Sequence, residues 1–237
     1  CALPICALGL AYLGLAALIL LVLRSGEGRA GEGDDEPAGP GDATTGIGAA
    51  AESPWKDPRL WLLLAAYVPI YAFITSVGIH FPAYQRDLGR SAEQASYVYG
   101  LTTVVGAFGS VAWGWACERW SARSALVAVV AGLALTSIVL WNPVGDGGWY
   151  AWAVVFGIVN AGAVALLALA LNEMFGSASI GRLMGTAMVF CMGGTIAGNF
   201  LSAGLFDRFS SYVPVWRLFS LLMAATLVPA FLLWRKG

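Results

Sequence analysis

Seven stretches of this 237-residue chain carry no Asp, Glu, Lys or Arg: 1 to 23, 60 to 85, 94 to 117, 124 to 145, 147 to 172, 183 to 206 and 218 to 234. Each is close to or above the roughly 17 to 25 residues that cross a bilayer as a helix. Hydrocarbon offers no water to backbone N–H and C=O groups, so a spanning segment must satisfy them within itself, as a helix does. Charged residues make up 11% of the chain, against about 25% in an ordinary soluble domain. The pattern predicts an all-α polytopic membrane protein with seven transmembrane helices.

A net charge of −1 with no basic run excludes binding to nucleic acid or to an anionic surface through charge. Cys1, Cys6, Cys117 and Cys191 show no CxxC or Cys/His spacing and lie in or beside apolar spans. They are expected to be buried thiols, with no disulfide framework, metal site or cofactor. Trp55, Trp61, Trp120, Trp141, Trp149, Trp152, Trp216 and Trp234 fall near the ends of apolar stretches, where aromatic side chains sit at membrane interfaces. The chain starts at Cys1 and is apolar from there, without the basic leader of a signal peptide. It is expected to be a fragment of a longer protein.

Cytoplasmic loops near spans keep an excess of Lys and Arg. With 24 to 59 inside, Arg24, Arg29, Lys56, Arg59, Arg119, Arg123, Arg182, Arg235 and Lys236 fall inside, against Arg86, Arg90, Arg208 and Arg217 outside. The excess places the linker and the C-terminus in the cytoplasm and the N-terminus outside, in a multi-pass protein of the plasma or inner membrane. The segment 24–59 carries eight Gly, four Pro, eight acidic and four basic residues and no large aliphatic beyond Ile47. It cannot bury enough apolar surface to offset the entropy of ordering and reads as a flexible acidic linker. The predicted organisation is a helix over 1–23, this linker, and a six-helix bundle over 60–237. The bundle's connections are expected at 83–95, 118–123, 142–148, 173–182 and 206–217; Asn142, Pro143, Gly145, Gly147 and Gly148 make the third a strong turn signal.

One helix, a long polar loop and a compact six-helix block resemble the C-terminal part of a major facilitator superfamily transporter: helix six, the central loop and helices seven to twelve. Gly78 to Ser91 (GIHFPAYQRDLGRS), then a Gly-rich helix ending Gly114 to Arg123 (GWACERWSAR), are similar to the helix seven to helix nine region of monocarboxylate-porter-like members. Phe175, Gly176, Gly181, Gly185, Gly194, Gly198, Gly204, Asp207 and Tyr212 are similar in order and spacing to that family's helix eleven and its flanking loops. The best-known monocarboxylate carriers hold an acidic and a basic residue within helix eight, and 96 to 117 has neither. The resemblance implies a secondary transporter that moves a small-molecule substrate, a monocarboxylate or other organic anion, by alternating access. It implies a missing N-terminal half of the same chain, and leaves proton-coupled symport open beside uniport and antiport, since the charges of helix eight are lacking.

Gly114, Glu118, Arg119 and Arg123 resemble the second-half copy of the superfamily's loop motif, with Glu118 for the usual Asp and Ala122 for a Gly. A carboxylate there can pair with a nearby Arg or face the positive end of a neighbouring helix, forming a gate latch or only a turn that fixes topology. Gly106, Ser110 and Gly114, and Gly194 and Gly198, recur at helical spacing. Such small-residue ridges let helices pack closely, whether static or at surfaces that rock.

Polar groups at membrane depth are costly unless they face a cavity or a partner. Tyr67, Tyr71 and Thr75 are spaced i, i+4, i+8 with Pro69 between the tyrosines, so they form one polar stripe. In the resembled fold that helix and the one carrying Asn160 line the central cavity. These four are the leading substrate-contact candidates; Asn199, Thr102 and Thr103 are weaker, and interhelical hydrogen bonding is the alternative for all. His80, the only histidine, reads as an interface residue or as a proton-coupling group.

The rival reading is a seven-helix receptor or sensor. A retinal protein needs a Lys deep in a helix, but Lys56 and Lys236 lie outside the spans, and neither an Asp-Arg-Tyr-like nor an Asn-Pro-x-x-Tyr-like helix end occurs. An intramembrane enzyme would need converging acid–base or metal groups at depth, and the spans hold no carboxylate, so no enzyme activity is expected.

Overall fold

In a computed structural model the described residues are 57–235, apart from 120, 143, 178 and 179. The expected helix over 1–23 and the linker as far as residue 56, with Cys1, Cys6, Arg24, Arg29, Ile47, Trp55 and Lys56, lie outside them, as do Trp120, Pro143 and Lys236. Six helices follow in order: α1 (Pro58–Asp87), α2 (Ala92–Arg119), α3 (Ala122–Trp141), α4 (Asp146–Phe175), α5 (Ile180–Phe209) and α6 (Val213–Arg235). All six are long and apolar enough to cross a membrane, and no strand occurs among the described residues. Six of the seven expected spans are therefore seen, and the seventh falls outside the description.

Five of the six helices overrun their charge-free stretches at both ends, while α3 stops at Trp141, short of residue 145; every connection is shorter than expected. A 30-residue helix such as α1 is about 45 Å long and outlasts a hydrocarbon core of about 30 Å. Its last turns reach headgroup level, where Arg86 and Asp87 are tolerated. Local chemistry sets the ends. The Asp57 side chain accepts from Arg59 N at 2.8 Å with Pro58 at the first helical position, so the linker ends two residues earlier than predicted. Ser121 accepts from Ser124 N at 3.2 Å to open α3, and Gly176 closes α4 at φ +74°, a conformation that glycine adopts freely.

The packing has an internal two-fold logic. α1 packs on α5 and α2 on α4; α3 packs on α4 and α1 on α6; α3 and α6 pack on each other. Exchanging the triplet α1–α3 for α4–α6 swaps the first two of these contacts with each other, swaps the next two, and returns the α3–α6 contact to itself. The starts of α1 and α4, and of α2 and α5, are both 88 residues apart, which gives the register of the exchange. Each triplet has three helices, so the second enters from the opposite face, an inverted repeat.

α2 and α5 each bury a single stripe, Ala95, Val98, Thr102 and Gly109 on one and Leu183, Ala187, Cys191, Gly194, Gly198 and Ser202 on the other. Their remaining faces expose Phe108, Val111 and Trp115, and Val189, Ile196 and Phe200. At the end of the bundle where α1 finishes, an aromatic layer joins α1, α4, α5 and α6. Phe81 stacks on Trp152 at 4.6 Å and Trp152 on Phe156 at 4.8 Å, while Tyr84 meets Trp149 and Trp216 edge-on and Tyr212 stacks on Phe206 at 4.4 Å. Each such pair contributes about 0.5–1.5 kcal/mol beyond the area it buries. This corrects the expectation for three tryptophans. Trp149, Trp152 and Trp216 lie near helix ends but are buried in this layer, because nearness to an end fixes depth and not the direction a side chain faces.

Candidate functional site

The α1–α5 crossing begins with glycine. A Cβ on Gly194 would lie 2.5 Å from Val68 O, and one on Gly198 would lie 2.8 Å from the Ala72 methyl, so the backbones approach as only small residues permit. The two helices run in the same direction in register, which sets Thr195 and Asn199 level with Tyr71 and Thr75. Thr75 Oγ1 donates to Tyr71 O at 2.6 Å and accepts from Asn199 Nδ2 at 3.4 Å. Asn199 Nδ2 also donates to Thr195 O at 2.8 Å. The structure thus joins Thr75 and Asn199, two of the predicted substrate-contact residues, by a hydrogen bond between helices.

Capacity is left over at this crossing. Asn199 Oδ1, Thr195 Oγ1 and Tyr67 OH are buried without a hydrogen-bond partner. Tyr67 is enclosed in the core, while Tyr71, Thr75, Thr195 and Asn199 are half-buried. A buried polar atom without a partner costs about 1–3 kcal/mol, so a group of them on one crossing is an expense that a bound solute or water would relieve. Thr195 is absent from the sequence reading. It lies one turn before Asn199, and its signal was only visible once α5 was docked on α1.

Asn160 stands apart. Phe73 meets Phe156 at 6.1 Å and Phe81 meets Trp149 at 5.8 Å, so α1 and α4 run antiparallel and Asn160 falls level with Tyr67 and Tyr71. Its Oδ1 is likewise buried and unpartnered, but no hydrogen bond ties it to the tyrosine stripe. Toward the aromatic layer, His80 Nδ1 lies 3.4 Å from Tyr212 OH, and its Nε2 is buried without a partner. Burial first, and the negative charges of Asp87 and Asp207 after it, push the Tyr212 phenol above its usual range. Of the weaker candidates, Thr102 bonds its own helix at Tyr99 O, 2.6 Å away, and Thr103 is exposed.

The predicted gate residues pair differently from expectation. Arg123 Nε donates to Glu173 Oε1 at 2.9 Å, and Ala122 N donates to Glu173 Oε2 at 2.7 Å. The carboxylate that meets the arginine and the N-terminus of α3 is therefore Glu173, at the end of α4. Glu118 is exposed, Arg119 lies 4.5 Å over the Trp115 ring, and nothing stands within 4 Å of a Cβ on Gly114. Glu173 was legible only as the charge that ends a span; its partner is chosen by the docking of α4 beside α3.

The ridge on α2 is shifted as well. A Cβ on Gly106 would meet Gly157 O at 3.3 Å, one on Gly109 would meet Ile158 Cα at 2.9 Å, and one on Gly157 would meet Thr102 O at 2.5 Å. Ser110, expected in this ridge, is exposed and bonds its own helix at Gly106 O and Ala107 O, both at 3.0 Å. Gly109 takes its place because it lies on the face turned to α4.

Six apolar helices in inverted triplets, with hydrogen-bonding groups held at membrane depth on one crossing, are the features of a membrane carrier. No curated protein matches the chain. The family model for the Major Facilitator Superfamily matches residues 3–191, most of the chain and five of the six described helices in whole or part. The chain is thus an integral multi-pass membrane protein of the major facilitator superfamily, a family of membrane transporters.

Proposed function

We propose that the chain moves a small polar solute by alternating access and that the α1–α5 crossing is where this bundle touches it. The observation that carries the reading is the group of unsatisfied hydrogen-bonding atoms, Asn199 Oδ1 and Thr195 Oγ1, beside the Thr75–Asn199 bond. Neutral groups of this kind recognise hydroxyl, amide or carboxyl oxygens by direction rather than by charge. A monocarboxylate or other organic anion, as the family resemblance suggests, meets its hydrogen bonds here and its counter-charge in the helices that complete the transporter. The exposed apolar faces of α2 and α5 suit contact with further helices. Proton coupling has one imidazole to draw on in this bundle, His80.

Rocking of one half on the other opens the site to each face in turn. The pair Arg123–Glu173 sits at one end of the bundle, where a changed contact between α3 and α4 would bias that motion. The experiment is uptake of labelled lactate, pyruvate and glycerol by cells expressing the full polypeptide, with Thr75→Ala, Asn199→Ala and Tyr71→Phe compared at equal surface expression. Loss of uptake of a transported solute in the first two is expected, since a hydrogen bond worth about 1.4 kcal/mol is tenfold in affinity. Unchanged kinetics in all three would remove the α1–α5 assignment.

A further inference from the structure

A second site lies away from the α1–α5 crossing, on the outer surface where α3 and α6 pack together. A cavity of about 390 Å³ is lined there by Ile138, Trp141, Arg217, Ser220, Leu221 and Ala224. Its floor is apolar, and Ile138 and Leu221 are among the exposed large hydrophobic residues. One end is polar and built. Trp141 Nε1 donates to Ser220 Oγ at 3.0 Å, and Ser220 Oγ donates in turn to Trp216 O at 2.9 Å. That chain of bonds fixes the plane of the indole. The Arg217 guanidinium lies over the ring, 5.3 Å from its centroid.

Arg217 has no carboxylate within ion-pair distance among the described residues, whereas Arg90 is paired with Asp146 and Arg123 with Glu173. It is also placed at a telling depth. Arg217 is four residues into α6 and Trp141 is the last residue of α3, so both stand about 6 Å or less from a helix end, at the level of lipid headgroups. The N-terminus of α6 adds the positive end of a helix dipole to the arginine's charge.

We propose that this groove holds one anionic phospholipid, its phosphate on Arg217 and an acyl chain laid along Ile138, Leu221 and Ala224. The surroundings supply the occupant. A membrane-facing apolar groove is filled by lipid, and a fixed, acid-free guanidinium at headgroup depth selects for negative charge. The Trp141 ring takes up the other face of the guanidinium, so the arginine is held out toward the headgroup instead of folding back on the helix.

The test uses the full polypeptide in detergent and reads thermal stability as palmitoyl-oleoyl phosphatidylglycerol is added, with palmitoyl-oleoyl phosphatidylcholine and inorganic phosphate as parallel arms. Phosphatidylglycerol is expected to raise Tm by several degrees more than phosphatidylcholine, and phosphate alone to do nothing. The excess should vanish in Arg217→Gln and survive in Arg208→Gln, an arginine at the same end of the bundle. Ala224→Phe, which fills the groove and leaves the charge, should remove the excess as well and covers the case in which Arg217→Gln does not fold. Equal protection by phosphatidylcholine, equal protection by inorganic phosphate, or a full response in Ala224→Phe would each overturn the lipid site. Transport plays no part in the readout, so the outcome is independent of the solute reading.

Discussion

At the α1–α5 crossing Gly194 and Gly198 meet Val68 and Ala72; at the α2–α4 crossing Gly106 and Gly109 meet Gly157, Ile158 and Ala161. The inverted repeat relates the two, and the 88-residue register places Gly106 against Gly194. Around the glycines they part company. Thr75, Thr195 and Asn199 have Ala163, Ala107 and Val111 as their counterparts. The polar side chain reaching across the α2–α4 crossing is Trp113, and its Nε1 is satisfied by Ile158 O at 2.9 Å. One packing solution therefore serves twice: the side chain that crosses α2–α4 has its donor satisfied, the α1–α5 crossing leaves a group of hydrogen bonds unspent, and on α4 the unpartnered Asn160 Oδ1 stands where α1 has Ala72. Close glycine contact is shared structure, and polarity at the crossing is what differs between the copies.

The largest expected effect treats the crossings alike. Gly157→Leu and Gly194→Leu each push a side chain into backbone 2.5 Å from the new Cβ, and overpacking of this kind costs about 1–3 kcal/mol or more. Both should lose most of the monodisperse protein on size-exclusion chromatography after detergent extraction. Normal yield from either would show that the helices can part without penalty and that the glycines are not the basis of the crossing.

The next effect separates them. Asn199→Ala should cut solute uptake about tenfold with little change in Tm, because it removes one weak interhelical bond and an oxygen that was unsatisfied in the free protein. Val111→Ala, its counterpart under the repeat, should leave uptake within twofold at equal expression. Uptake lost equally in both would erase the asymmetry between the crossings.

Smaller still is the loss of the Trp113 bond. Trp113→Phe keeps the ring and deletes the N–H donor to Ile158 O, a net loss of about 1 kcal/mol, or roughly 2–4 °C in Tm for a chain of this size. A thermal-shift series would show it, and uptake should be unaffected. The smallest effect concerns the end of the bundle. Glu173→Gln weakens the half-exposed pair with Arg123, worth at most about 1 kcal/mol so near solvent. It should still shift the relative labelling of cysteines introduced at the two membrane faces. Glu118→Gln should shift it less, and the reverse order would return the latch to Glu118.

The helices were legible because bare charge cannot sit in hydrocarbon, so the gaps between charges marked every described span. Their ends were not, because helices continue into the headgroup region: α1 runs to Asp87 where the charge-free stretch stops at residue 85. The stripe of Tyr71 and Thr75 could be read from its four-residue spacing, whereas the enclosure of Tyr67 in the core could not. Thr195 and Glu173 were missed for one shared reason. Each acquires meaning from a residue on another helix, Thr195 beside the α1 stripe and Glu173 against Arg123, and spacing along the chain carries no record of such partners. The inverted repeat was hidden because few side chains are kept across the register; Gly106 and Gly194 agree, but Ser110 stands opposite Gly198.

Solute uptake by Asn199→Ala beside Trp113→Phe, in the same cells and at equal surface expression, tests the division between the two crossings most directly. Uptake reduced about tenfold in Asn199→Ala and unchanged in Trp113→Phe is expected. Unchanged uptake in Asn199→Ala, or an equal loss in both variants, would contradict it.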